Sequence, residues 1–415
     1  MTVLIIGGGA AGLMAAITAK RTDPAAEVVI AERLDRVGKK ILATGNGRCN
    51  FSNINTKPVN YYGKRPSFVN NALKEFTVAD TVNFFNGIGV FPREERDGRL
   101  YPYSLQASAV LDALRNECEK LEITVLSGKS VKEISVKKGS LRAVFENGER
   151  LRADSIILAA GGCASPALGS DGSGYEILKK LGHTITPLSP ALVQVKTDTA
   201  PIKGLSGIKI EGTATLIKGE KVLDSDSGEI LFTDYGLSGP PIFQLSAKMP
   251  FKKDIFIALD FMAEYSLRQV FDILEGRKKA LDGMTMEYFF TGLLNKRLGN
   301  LISRAAGIEK LSFSVSALDK DLLWRLAGLI KEYKIKVTGL NGFKNAQVTA
   351  GGALTDEFSP YTMQSKFIKG LYCCGEILDI HGDCGGYNLQ WAWSSGYIAG
   401  KNAVLSEQEN YEKQQ

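Results

Sequence analysis

The chain opens on an unbroken apolar run, TVLII at residues 2–6. A strand with one wet face would alternate, so this one is expected to be covered on both faces. GGGAAG follows, then an Ala-rich stretch over residues 10–20 that reads as a helix, then EVVIAE at 27–32 as a second strand. IILAAGG near residue 156 is another continuous apolar run, again of the parallel, doubly covered kind. Between residues 192 and 261 the pattern alternates in GIKIEGTATLI and DIFIALDF, which predicts antiparallel strands forming a small barrel or sandwich. From 266 to 333 the period lengthens. Leu267, Val270, Phe271 and Leu274 follow helical spacing, and Leu322, Leu326, Leu329 and Ile330 line a second helical face. After Gly351 the chain returns to a strand-like GLYCCGE, a Gly-rich loop and a helix from about Asn388, ending in a frayed polar tail from Glu407.

A chain of 415 residues exceeds what one core organises. The pattern divides it into residues 1–190 with 338–415, a β-rich segment at 191–262 and a helical segment at 263–337. No apolar run approaches the roughly 20 residues that span a bilayer. The chain enters its first strand at once, so no leader and a cytoplasmic location are expected. Six cysteines at irregular spacing make no zinc pattern, and two histidines leave a multi-histidine metal site without ligands. The balance of 51 basic against 45 acidic residues, net +6, is spread along the chain. It permits a polyanionic partner without demanding one.

Candidate chemistry begins at Gly7-x-Gly9-x-x-Gly12. In a β–turn–α–β context the first glycine permits a tight turn, the second lets backbone approach a pyrophosphate, and the third lets the helix pack on the strand. Ala10 and Ala11 would offer their amides at the helix start. Glu32 ends the next strand, where a carboxylate can bind two ribose hydroxyls, with Arg33 beside it. A plain glycine turn is the competing reading, and the fingerprint alone leaves NAD and FAD both open. Downstream, KKILATGNGRCNFSN (39–53) gathers Lys39, Lys40, Gly45, Asn46, Gly47 and Arg48. The cations suit a pyrophosphate or an anionic substrate, or else a solvated basic loop.

GNGRCN, GRLYPYSLQASAVLDAL (98–114), GGCASPALGSDGSGYEILKKLGH (161–183), GEILFTDYGLSGPPIFQLS (228–246) and GEILDIHGDCGGYNLQWAWSSGYIAG (375–400) together resemble the BaiN-like flavoproteins, a group that includes the aminoacetone oxidases. The resemblance covers both ends and the centre and is loose over 250–337. It implies an α/β fold: a Rossmann-type FAD-binding domain built from both chain ends, with an inserted β-barrel-like domain and a small helical domain. It also implies FAD as cofactor. Asp234 departs from it, since many relatives carry histidine there, and a role for that histidine does not transfer.

Within that reading, Gly375 and Glu376 bring backbone close to the ribityl chain. Gly386 leads into a helix whose first amides, from Tyr387 through Asn388 and Leu389 to Gln390, point at the flavin ring and stabilise charge gained on reduction. Val131, Ala160, Gly161 and Asp379 complete the candidate cofactor contacts. Asp383, Cys384 and His381 form an ionisable loop suited to acid–base work, although His381 also reads as an ordinary loop histidine. Arg48 is a candidate for holding an anionic substrate. Cys49 either donates a proton, its thiol near 8.5 and slightly lowered by cations, or simply packs. Cys373 and Cys374 read as buried, and His183 as a structural residue after a helix. Asp171, Gly172 and Gly174 make a Gly-rich loop without a second fingerprint, so NAD(P)H, if it is the electron donor, docks transiently.

The expected activity is that of an FAD-dependent oxidoreductase, a reductase moving a hydride from reduced flavin to an activated C=C bond of a small molecule. Reduction of uridine in ribosomal RNA, amine oxidation and non-catalytic flavin binding are the alternatives. GRKK (276–279) and KEYKIK (331–336) would supply RNA phosphate contacts, or are merely solvated faces. The oligomeric state is left open.

Overall fold

The computed structural model describes residues 1–137 and 140–405, so the expectation for the tail from Glu407 lies outside the described residues. Two compact units emerge, one from Met1–Pro190 with Phe343–Gln415, the other from Ala191–Gly342.

The first unit is organised by five parallel strands in the order Leu371–Cys373, Ser155–Leu158, Thr2–Ile6, Glu27–Glu32, Thr124–Ser127. The apolar runs read from the sequence are these strands. Val3, Leu4, Ile5, Ile156, Ile157 and Leu158 are wholly inaccessible, as continuous runs must be when helices cover both faces. Each such side chain contributes about 1.5–3 kcal/mol by leaving water.

The helix Ala10–Thr22 starts directly off the first strand and packs against the last helix, Tyr387–Val404. Small residues make that approach possible. A Cβ on Gly396 would stand 2.5 Å from the Ala11 carbonyl oxygen, and one on Gly400 2.2 Å from that of Ala15. The two ends of the chain are thereby locked side by side, with both helix N-termini at the C-terminal edge of the sheet, where ligands of open α/β sheets bind. Smaller sheets flank this core: Val131–Lys137 with Ser140–Phe145 and Arg150–Ala153; Ser52–Asn53 with Arg99–Pro102 and Pro92–Glu95; and Tyr61–Tyr62 with His381–Gly382.

In the second unit six strands close a barrel in the order Val195–Thr197, Gly236–Ser238, Lys221–Phe232, Lys209–Lys218, Ile255–Asp260, Tyr333–Leu340. The helical segment (Leu267–Ala280, Met286–Phe289, Lys296–Ala305, Lys320–Lys331) is spliced between the last two strands, which pair antiparallel with each other. It has no core of its own: Val270, Phe271, Leu274, Leu326 and Ile330 share one apolar cluster with Leu216, Phe232, Ile257 and Ile335 of the barrel. Leu267, expected on the buried face, is 45% exposed. The unit ends at Gly342 rather than at 337, because Tyr333–Leu340 is a barrel strand.

The basic runs 276–279 and 331–336 are in part engaged within the unit, with Lys279, Lys334 and Lys336 left exposed. Arg277 donates to the carbonyls of Phe289 (2.9 Å) and Thr291 (2.8 Å), and Lys278 donates to that of Leu318. Lys331 donates to Met262 O and pairs with Asp260, Lys279 pairs with Glu275, and Lys334 with Glu332. Among the described residues no helix is long and apolar enough to cross a membrane.

Candidate functional site

The turn after the first strand is shaped by its glycines. Gly7 has φ +105, and a Cβ there would meet the Ala159 carbonyl at 2.5 Å; one on Gly12 would meet Gly7 O at 1.9 Å. Around Gly9, by contrast, nothing lies within 4 Å of the Cβ position. The first intrahelical bond runs from Leu13 N to Gly9 O, leaving the amides of Ala10, Ala11 and Gly12 ahead of it. That end combines unpaired N–H groups with the positive pole of a helix, which is what an anion requires. Glu32 is buried, with Oε2 accepting from Gly8 N and Oε1 from Leu34 N, both at 2.8 Å. Each carboxylate oxygen retains a further lone pair for a hydroxyl donor. Arg33 is ion-paired with Asp171 of the Gly-rich loop, drawing residues 161–174 toward the same edge.

The basic loop is ordered by carboxylates from distant parts of the chain. Lys40 pairs with Glu376 at 2.7 Å, and Lys39 with Asp35. Glu376 also accepts from Thr349 N at 2.8 Å. Arg48 lies 4.5 Å from the Tyr101 ring centroid and pairs with Glu95 at 3.2 Å. Gly45 and Asn46 take left-handed conformations, with Asn46 and Gly47 exposed. Of the two readings of Cys49, packing fits: among the described residues no cation lowers its thiol. The side chain is wholly inaccessible, and burial pushes the thiol up to about 12. It packs.

At the other end of the chain, Gly375 has φ +76, and its Cβ position lies 2.8 Å from Ala11 Cβ, so only glycine lets this strand end touch the first helix. Ser395 Oγ accepts from Gly375 N, and Trp391 Nε1 donates to Gly375 O. The helix Tyr387–Val404 is capped by Gly386 in the left-handed region. Gln390 is a correction. Its amide is spent on Gly386 O at 3.0 Å, and its side chain turns inward to Ser52, Thr81 and Ser394. The amides ahead of the first intrahelical bond are therefore those of Tyr387, Asn388 and Leu389. Asn388 holds the preceding loop, accepting from Gly382 N and donating to Gly382 O and Asp383 O. Ala160 and Gly161 follow a neighbouring strand end, half-buried, whereas Val131 is a buried strand residue paired with Phe145.

The ionisable loop is tightly built. Tyr62 Oη donates to Asp383 Oδ1 at 2.6 Å and Asn60 Nδ2 to Asp383 Oδ2 at 2.9 Å. His381 is paired across the two-stranded ladder with Tyr62, the rings 5.4 Å apart, and is buried. Asp379 is buried, accepts from Lys64 N, and has its carboxyl pushed up by burial. Cys384 is partly exposed. His183 stands apart: it is stacked on Phe358 and Phe367 and held by Glu357 and Ser365, and burial lowers its pKa, all of which suit a structural residue.

Two residues of this neighbourhood escaped sequence reasoning. Tyr62 meets Asp383 across 321 positions, and no local pattern announces that. Asn50 sits inside GNGRCN, yet its Oδ1 is buried without a hydrogen-bond partner, 2.9 Å from the Gly386 Cβ position. A buried acceptor without a donor is costly unless a ligand supplies one. The free amides at two adjacent helix starts, the clear space at Gly9, the Glu32 carboxylate and this orphaned acceptor together fit a flavin dinucleotide: pyrophosphate at the first helix, ribose at Glu32, ring at the last helix. Among the described residues no cluster suits a metal ion.

Residues 1–402 match the HI0933-like protein Rossmann domain family. A 3-dehydro-bile acid delta(4,6)-reductase of Clostridium scindens is 41% identical over 407 residues, spanning 96% of this chain and 98% of that protein. A ribosomal RNA dihydrouridine synthase of Escherichia coli is 29% identical over 409 residues, spanning 97% and 98% respectively. Among solved structures, a variant of the E. coli quinol fumarate reductase shares the fold, with a TM-score of 0.51 at 16% identity over 100% of this chain and 73% of that one.

Proposed function

The chain belongs to the HI0933-like Rossmann-domain family and is an FAD-dependent oxidoreductase, and from that premise we propose that it reduces a C=C bond conjugated to a ketone on an apolar, carboxylate-bearing polycyclic substrate of the bile-acid kind. The observation that carries this reading is the 41% identity to a 3-dehydro-bile acid reductase along almost the whole of both chains.

Bound FAD supplies the hydride. Glu32 would hold the adenosine ribose, and the amides of Ala10, Ala11 and Gly12 the pyrophosphate. The amides of Tyr387, Asn388 and Leu389 would serve the ring, where the positive pole of the last helix would favour charge gained on reduction. Hydride addition to the carbon β to the ketone leaves the α carbon in need of a proton. We assign that proton to Tyr62 Oη, which rests donating to Asp383 Oδ1 at 2.6 Å and would turn its O–H to the α carbon, the tyrosinate then regaining a proton from solvent. Asp383 thus acts through Tyr62. His381 positions Tyr62 across the ladder. NAD(P)H, docking transiently, would be the electron donor, and the cytoplasm the place of work.

The RNA reading rests on the dihydrouridine synthase relative, 29% identical. Of the cations that would serve it in that segment, Arg277, Lys278 and Lys331 are engaged by carbonyls or a carboxylate, while Lys279, Lys334 and Lys336 are exposed. The test is product analysis: holoprotein, NAD(P)H and either a 3-oxo-4-ene bile acid or ribosomal RNA, without oxygen. The expected product is the bile acid gaining two mass units with the RNA unchanged. Dihydrouridine in the RNA and no change in the bile acid would overturn the proposal.

A further inference from the structure

The hairpin Pro92–Glu95/Arg99–Pro102 has a face that the flavin site does not use. Directly paired residues of an antiparallel ladder point the same way, so Arg93 with Tyr101 and Glu95 with Arg99 share one face. Just beyond the ladder Phe91 and Tyr103 continue it, joined by the Tyr103 N to Phe91 O bond. Their rings meet edge to face at 5.9 Å and stand 67% and 64% exposed. On this face Tyr101 is itself buried and Leu100 is buried on the other, so the core contribution of the hairpin is made without Phe91 and Tyr103, whose rings stay in water.

The charge on this face is unbalanced. Arg93 lies 6.0 Å from the Tyr103 centroid, and Arg48 4.5 Å from the Tyr101 centroid. Glu95 is shared between them, at 3.2 Å from Arg48 and 3.9 Å from Arg93. One carboxylate between two guanidiniums leaves a net positive charge beside exposed rings. The face also adjoins the proposed ring end of the flavin site. Tyr101 Cε1 is 3.3 Å from the Gly45 Cβ position, and Arg99 Nε is 3.3 Å from that of Gly385, next to the cap of the last helix.

We propose that this face is the substrate platform: Phe91 and Tyr103 take the apolar ring system, and Arg93, with Arg48 behind it, takes the carboxylate at the far end. The assignment rests on the small-molecule reading given above. A planar fork over an aromatic ring is pre-organised for a carboxylate. The shared Glu95 keeps the two guanidiniums apart and yields to the incoming anion. Each acid bound restores neutrality to the face.

The test compares a 3-oxo-4-ene bile acid with the same steroid lacking the carboxyl group, on the FAD-loaded protein, by calorimetric Kd with oxidised flavin and by KM in turnover. Arg93→Gln is expected to weaken binding of the acid at least about 10-fold and to leave the neutral steroid within twofold. Phe91→Ala with Tyr103→Ala is expected to weaken both. Arg142→Gln, on a separate sheet, serves as the charge-matched control and changes neither. Equal loss for acid and neutral steroid in Arg93→Gln, or no loss for either, overturns the platform. The calorimetric readout needs no turnover. Binding that depends on Arg93 without reduction would therefore count against the proposed reaction alone, whereas reduction with Arg93-independent binding would count against the platform alone. Loss of affinity for an RNA fragment instead of the acid would overturn both.

Discussion

Glu32 and Tyr62 carry most of the residue-scale account, and they differ in how they could be found. Glu32 accepts two backbone amides and is expected to accept two ribose hydroxyls as well. Hydrogen bonds to a charged group contribute about 1.5–3 kcal/mol each, so Glu32→Ala is expected to weaken FAD on the order of 100-fold, read as flavin lost on dilution. Full occupancy at the same dilution would remove Glu32 from the site. For the proton, Tyr62→Phe should leave FAD content and flavin reduction normal, while reoxidation by the enone slows at least about 100-fold, the lower end of general acid catalysis. Cys49→Ala should leave that step unchanged, because a wholly buried thiol held at about 12 is a poor donor and reaches no ligand. The reverse pattern would exchange their roles. Glu32 was legible because its partners lie within one β–turn–α–β unit. Tyr62 was not, since the pairing of Tyr61–Tyr62 with His381–Gly382 joins distant parts of the chain. Cys49 stayed open between two readings for a related reason: a motif rich in glycine and charge says nothing about which of its side chains turns inward.

At the scale of elements, the site depends on two helices held at contact distance. Gly396 and Gly400 let the last helix rest on the carbonyls of Ala11 and Ala15. Gly400→Val would place side-chain carbon where 2.2 Å is available. Overpacking of this kind costs about 1–3 kcal/mol, and here the helices would also separate at the ends proposed to hold the cofactor. The expected result is a lower melting temperature together with weaker FAD retention; an unchanged melt would mean that the helices tolerate a wider spacing. The strands of the parallel sheet were readable as apolar runs, and the barrel strands as alternation. The limits lay in helices and edges. Leu267 fits the helical stripe by spacing yet is exposed, because it occupies the first turn of its helix, before the helix packs. Gln390 read as one of the amides facing the flavin ring and is instead a buried connector tying the last helix to Ser52 and Thr81. Spacing along a helix does not say where its first internal bond falls.

For the whole molecule, the two chain ends build the flavin unit and the segment between them builds a barrel with a helical splice. KEYKIK shows why that division was hard to place from sequence. Its alternation places Tyr333 and Ile335 inward, closing the barrel, and Lys334 and Lys336 outward on an exposed face, so one short run serves both the core and the surface. Flavin held by this Rossmann unit is expected to deliver hydride to a conjugated C=C bond, which anaerobic stopped-flow absorbance of the pre-reduced protein reads without intervening steps. Mixed with a 3-oxo-4-ene bile acid, the flavin band should return in a single turnover with one equivalent of saturated ketone formed, and mixing with the already saturated ketone should return none. Reoxidation that is equally fast with both ketones, or absent with both, would contradict the claim.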